Sequence, residues 1–377
     1  MTRPDGAMLY VHVPFCRSKC AYCDFASFPG READFARYFA AVGEEMRAAS
    51  EEYGRLRLSS VFVGGGTPTL VPADLIARLL SEANRLFAIE PGAEITVEGN
   101  PGTVTRDSLR ALASAGVNRV SFGAQAFQPR LLRMLGRIHT PEETRRAVET
   151  ARAAGIENIS LDLMYALPGQ TMADWEESLR AAIGLGCGHV SCYSLIIEPG
   201  TPMVDRVARG EVRPMGDEET IAMQRLAADT LGAAGLKRYE ISNYARPGLE
   251  SRHNMGYWRR RDYLGLGCAA HSCMRGARFH NPETLEGYFR GERGLDRTEL
   301  TPEEEIEEAV MLETRTVAGI GLEEFRARYG VDFTARFARG ARVLEENGLA
   351  RREGGRFFLT DRGMDVQSAA VVELLTE

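Results

Sequence analysis

The chain has 377 residues, 44% of them hydrophobic, with 46 Lys plus Arg against 53 Asp plus Glu for a formal net charge of −7. That is ample apolar material for a large core, and at roughly 150 residues per domain the length suggests two or three units. No basic excess announces nucleic acid or an anionic membrane, the first residues lack an apolar run of signal-peptide length, and the most apolar stretch, residues 181–197, is broken by glycines, His189 and serines. The expected location is therefore the cytoplasm, with peripheral contact at a membrane left open.

The first element reads "YVHVPFCRSKCAYCDF", a strand over 9–15 running into a loop with Cys16, Cys20 and Cys23. Further strand candidates are 59–65, 94–100, 119–125, 158–165 and 189–196, rich in Val, Ile and aromatics. Helical patterns fall between them near 34–51, 73–87, 105–115, 141–154 and 172–185. Thr140, Pro141 and Glu143 form a capping-box start, and Thr171 opens the next helix in the same way. Strand–helix alternation implies a parallel sheet with crossover helices. Six units are too few for a closed eight-fold barrel, so an α/β open partial barrel or a doubly wound sheet is expected. In either, ligands gather at the C-terminal ends of the strands. Cys16, Gly64–Gly66, Glu98, Gln125 and Asp162 all fall there.

A helix follows from 217, and another from the Thr-Pro-Glu-Glu start at 301. Helices leading to a hairpin around Gly354-Gly355 suggest a C-terminal winged-helix domain. The expected organisation is 1–215, 216–300 and 301–377. Residues 301–377 hold ten Arg and no Lys against sixteen Asp plus Glu, a net of −6, which opposes phosphate binding. This domain is expected to pack on the barrel, cover a site or meet a protein partner.

The three clustered cysteines, spaced C-x3-C-x2-C, suit an iron–sulfur cubane. Three thiolates leave one iron of the four without a protein ligand, and that iron can take the amino and carboxylate groups of S-adenosylmethionine. Two other readings stand beside this: a zinc site completed by His12, and a thioredoxin-like pair in "CAYC". Cys187 and Cys192 flank a strand candidate and are expected in the core.

The CxxxCxxC loop after a first strand, followed by "GGGTPT" at 64–69, resembles the radical SAM proteins. "YVHVPFC" is similar to the branch containing anaerobic coproporphyrinogen III oxidase. The resemblance implies a partial (β/α)6 barrel holding a [4Fe-4S] cluster on Cys16, Cys20 and Cys23, with S-adenosylmethionine contacted by Tyr10, Tyr22, Gly65, Gly66, Thr67, Glu98, Gln125, Arg137 and Asp162. Two features separate members of the branch. The oxidase carries a further Cys two residues after the third ligand, where this chain has Phe25. "HNMGYW" at 253–258 matches the HNxxYW motif of the heme chaperones that resemble the oxidase. The match implies heme contact by His253, Tyr257 and Trp258. His271, between Cys268 and Cys273, offers an alternative ligand set, against the plainer reading of a buried strand end. The expected function is a heme chaperone delivering to an acceptor hemoprotein, such as a membrane-bound respiratory one. An electron donor is implied if radical chemistry is used, and a homodimer is one further option. The alternative is the oxidase, an enzyme; a third, nucleic-acid-modifying class is disfavoured by the acidic tail.

Overall fold

The strand candidates pair in chain order in the computed structural model, which describes residues 6–376. They are β1 (Ala7–Val13), β2 (Arg57–Gly65), β3 (Ala88–Gly99), β4 (Arg119–Gln125), β5 (Asn158–Tyr165) and β6 (His189–Ser194). All five successive pairings are parallel. Each needs a crossover, supplied in turn by helices Phe35–Tyr53, Ala73–Leu86, Arg106–Ser114, Pro141–Ala153 and Met172–Gly184. The capping boxes expected at Thr140 and Thr171 form, the second with Asp174 as the returning side chain.

Side chains alternate across a strand, so each strand has one core face and one inner face. Leu9, Val11 and Val13 of β1 and Ile95 and Val97 of β3 join the main hydrophobic core. That leaves Tyr10, His12, Glu94, Thr96 and Glu98 on the inner face. Such a polar face is poor packing material and a good ligand wall.

Residues 237–299 lengthen the same sheet at both edges. Beyond β6 lie Asn243–Ala245 and Lys237–Arg238, both antiparallel. Beside β1 lies Tyr263–Leu266, parallel, followed by antiparallel strands His271–Met274, Ala277–His280 and Leu295–Glu299. The sheet has twelve strands among the described residues. These additions run to five residues or fewer and include charged side chains, so no periodicity announces them.

The "HNMGYW" segment is a short helix, Arg252–Trp258, fixed from below by Glu94. The buried Glu94 carboxylate accepts from the backbone N–H of Arg252 at 3.0 Å and of His253 at 3.1 Å, and from Ser251 Oγ at 3.3 Å. Gly256 lets the helix lie on β1, because a Cβ there would sit 2.0 Å from Met8 Sδ. Glu94→Ala strands three donors and should lower stability by roughly 2–4 kcal/mol. The check is the denaturant midpoint, expected to fall at unchanged slope; an unmoved midpoint would mean the helix is held by other contacts.

A second hydrophobic cluster joins Ile306, Phe325, Phe333, Phe357 and Leu374. Its hairpin pairs Ala350–Glu353 with Arg356–Leu359 through Gly354 and Gly355, whose φ values of 57° and 74° suit a two-residue turn. This C-terminal part rests on the helix Arg252–Trp258 and its exit. The Arg260 side chain, 6% exposed, reaches Glu308 at 3.0 Å, and the Arg315 guanidinium lies 4.4 Å from the centre of the Trp258 ring. Among the described residues no helix is long and apolar enough to cross a membrane.

Candidate functional site

The loop after β1 carries the three thiols. It is closed at its base by the pairing of Phe15–Cys16 with Phe28–Pro29. Midway it is pinned by the Ala21 N–H donating to Leu135 O at 2.9 Å. Gly136, with φ at 75°, turns the chain directly beneath this contact. Cys16, Cys20 and Cys23 then line one cavity together with Tyr22, Gly65, Gly66, Thr67, Glu98, Gln125, Arg137 and Asp162. Strand ends and adjoining turns from β1 through β5 thus converge on a single space.

The thiols are only half-buried and face hydrogen-bond donors. Thr67 Oγ1 lies 3.5 Å from Cys16 Sγ, and Arg137 Nη1 donates to Cys20 Sγ at 3.6 Å. Burial pushes the Cys16 thiol up and the Cys23 thiol to about 11. Among the described residues no three His, Cys, Asp or Glu side chains close on one point tightly enough for a single metal ion. His12, the fourth ligand a zinc site would need, is spent. Its Nε2–H donates to Ala26 O at 2.9 Å, so its Nδ1 accepts from the Tyr10 hydroxyl at 2.9 Å.

The cavity lining includes the exposed Arg17, and its buried cation is Arg137. Its Nη2 donates to Gly123 O at 2.5 Å, while its Nε is buried without a partner. Burial lowers its pKa, but the Tyr22 hydroxyl and the Cys20 thiol more than offset this. An anion entering here finds a fixed, partly unsatisfied guanidinium. Asp162 accepts from Ser121 Oγ at 3.1 Å and 3.3 Å, and burial raises its pKa. Glu98 is raised to about 7, first by burial and then by the Asp162 charge, although the Gly65 N–H donates to it at 3.0 Å.

That shift has a definite sign. Between the ordinary 4.5 and about 7 the folded chain keeps a proton that the unfolded chain has lost. Stability therefore falls as pH rises through this window. Glu98→Gln should make that fall shallower when denaturant midpoints are measured across it, while Glu313, which burial also raises to about 7, keeps its own share; parallel curves for the two proteins would contradict the assignment.

The glycine run works through close approach to β1. A Cβ on Gly66 would lie 2.7 Å from Phe15 O, and one on Gly65 would lie 2.5 Å from the His12 ring. The N–H groups are already used, Gly65 on Glu98 and Gly66 on Val13 O. Gln125 has φ at 62°, a left-handed conformation that costs a non-glycine residue energy and turns its side chain into the cavity.

Four expected residues lie elsewhere. Tyr10 and Tyr257 line an adjoining cavity of about 630 Å³ that shares Phe25 and Ser27 with the first. His253 is buried at 1% exposure. Its Nδ1 is 2.8 Å from Ser60 Oγ and its Nε2 is 3.0 Å from the Tyr257 hydroxyl, so both ring nitrogens are occupied. Trp258 packs under Arg315, toward the C-terminal part.

The family profile described as "Radical SAM superfamily" matches residues 10–182, and that described as "HemN C-terminal domain" matches 300–366. The chain is 36% identical over 362 residues to the heme chaperone HemW of Bacillus subtilis, covering 94% of this chain and 95% of that one. The chain belongs to the HemW family of radical SAM proteins. The HemW of Mycobacterium tuberculosis is 35% identical over 97% of this chain and 94% of its own. The HemW of Escherichia coli is 39% identical over 72% of this chain and 71% of its own. The coproporphyrinogen III oxidase HemN of Escherichia coli shares the fold, with a TM-score of 0.85 at 21% identity, covering 99% of this chain and 91% of that one.

In this HemW-family chain two contributors escaped the motifs. Ser121 holds Asp162, and Glu94 holds the HNxxYW helix. Both were signalled by alternation: 94, 96 and 98 share one face of β3, as do 119, 121 and 123 on β4 before its register shift.

Proposed function

We propose that this chain is a heme chaperone of the HemW type. Cys16, Cys20 and Cys23 anchor a [4Fe-4S] cluster, S-adenosylmethionine binds beside it, and heme is carried and delivered to acceptor hemoproteins. The observation that carries the reading is the single cavity in which three half-buried thiols face an incompletely bonded guanidinium. The donor set fits both groups. Three thiols suit a cubane with one open corner, and Arg137 suits a carboxylate. Glu98 and Asp162, raised toward the neutral form, can donate to or accept from ribose hydroxyls. When bound, the pair supplies one-electron cleavage of a carbon–sulfur bond. The chain's own part is to hold the thiols in place, keep the cation against them and enclose the ligand.

Carriage needs a second space, and the adjoining cavity with Tyr10 and Tyr257 on its wall supports that. The cytoplasm is the compartment that suits open thiols. The acidic C-terminal part, set against the helix Arg252–Trp258, is the surface through which an acceptor would sense the heme state. The division at 215 and 300 belongs to the same reading and is supported by the separate hydrophobic cluster from Ile306 onward.

The rival is coproporphyrinogen III oxidation. Phe25, 61% exposed between the two cavities, stands where the resemblance places the oxidase's additional Cys. The test is anaerobic incubation of the reconstituted protein with coproporphyrinogen III, S-adenosylmethionine and a reductant, alongside transfer of bound heme to an apo-hemoprotein. The expected result is transfer without protoporphyrinogen IX. Stoichiometric or better protoporphyrinogen IX would overturn the chaperone reading.

A further inference from the structure

Heme iron is commonly held by an imidazole with a free lone pair, and the structure limits which imidazole that can be. The chain has six histidines. His12, His139, His189 and His253 are buried. His12, His189 and His253 have both ring nitrogens engaged; His139, with Nε2 on Ala124 O, keeps an unpartnered Nδ1, but that atom is buried and the residue lines no part of the cavity beside the thiols. His280 is bonded to Asn281 O and Asp296, which raise its pKa and favour the protonated ring. His271 is exposed, and among the described residues it is the histidine whose ring makes no hydrogen bond; it stacks on His280 at 5.1 Å. Its partial burial lowers its pKa, which favours the neutral ring.

His271 faces the cavity of about 630 Å³ beside the thiol cavity, a size within the usual range of roughly 300–1,000 Å³ for small-molecule sites. Its other walls carry the rings of Tyr10, Phe25, Tyr257 and Tyr263; Lys19, which donates to Phe25 O at 3.3 Å, is the cation of the lining, with the carboxylates of Asp24 and Glu283 beside it. Tyr257 is the tyrosine of "HNMGYW". Its hydroxyl is 3.0 Å from His253 Nε2, and its ring meets Tyr263 edge-on at 4.8 Å.

We propose that heme binds in this cavity with His271 as the axial ligand to iron, and that His253 is a positioning residue acting through Tyr257. The proposal rests on the heme-chaperone reading and says where that heme sits. It accounts for the HNxxYW segment without asking a fully buried, doubly bonded imidazole to reach iron.

The test is hemin titration of the full-length reconstituted protein, with the axial ligand read by electron paramagnetic resonance and resonance Raman spectra. Wild type should show an imidazole-bound iron. His271→Ala should lose that signature and weaken binding at least tenfold, and free imidazole should restore the signature. His253→Ala and Tyr257→Phe should weaken binding while keeping the signature; Tyr257→Phe covers the case in which the buried His253 variant fails to fold. An unchanged spectrum and affinity in His271→Ala would overturn the placement while leaving the chaperone reading intact. Wild-type protein that binds no hemin would overturn both.

Discussion

Cys20→Ser should leave a folded chain that no longer keeps a cluster. After anaerobic reconstitution the wild type is expected to hold about four irons and four sulfides per chain. The variant should hold well below one iron, with loss of the broad visible absorption. The reason lies in ligand chemistry. The thiolate is the iron ligand, whereas a serine hydroxyl stays protonated near neutrality and binds iron weakly. With only three protein ligands, losing one leaves the cubane on two corners. The fold should persist, because the three thiols line a cavity and belong to none of the hydrophobic clusters. Iron and sulfide assays with circular dichroism check both halves. Four irons retained by Cys20→Ser would remove this thiol from the site.

Arg137→Ala should raise the dissociation constant for S-adenosylmethionine by about 10- to 100-fold, the loss of one charge-assisted pair of roughly 1.5–3 kcal/mol. Arg137→Lys should recover only part of it. The guanidinium spends one N–H of Nη2 on Gly123 O and one of Nη1 on Cys20 Sγ, leaving three of its five N–H groups without a protein partner. An ammonium cannot fill these directions with the same fixed fork. Because Arg137 also touches a thiol, the measurement needs a second readout. Iron content should stay near the wild-type value while binding, followed by calorimetry, weakens. Equal affinity in wild type and Arg137→Ala would show that the cation serves the loop alone.

The sequence carried the catalytic-looking face of the barrel well and its edges poorly. β1 to β6 were legible because each is long enough for β-branched runs and is separated from the next by a helix, the last three of these capped by Thr105, Thr140 and Thr171. Strand ends then located Cys16, Glu98 and Gln125, since parallel sheets present their ligand sites there, whereas Asp162, expected at a strand end, sits three residues inside β5. The shared cavity for these residues follows from strand curvature, which no local pattern encodes. Tyr10 illustrates the limit. It sits on the inner face of β1 but three residues before the strand's end, and it lines the neighbouring cavity. His253 illustrates another. A motif gives residue identity but not exposure, and the partners that occupy its ring, Ser60 and Tyr257, come from β2 and from the next helical turn. The strands at 263–299 were unreadable because their partners, and not their own four or five residues, define them.

The central claim is that three thiols anchor a four-iron cluster whose remaining iron takes an outside chelator beside Arg137. Mössbauer spectroscopy of the iron-57-reconstituted wild type, before and after adding S-adenosylmethionine, tests this most directly. The account predicts a [4Fe-4S] spectrum in which addition shifts one iron of the four and leaves the others in place. A single tetrahedral metal in place of the cluster, or a cluster spectrum indifferent to S-adenosylmethionine, would contradict it.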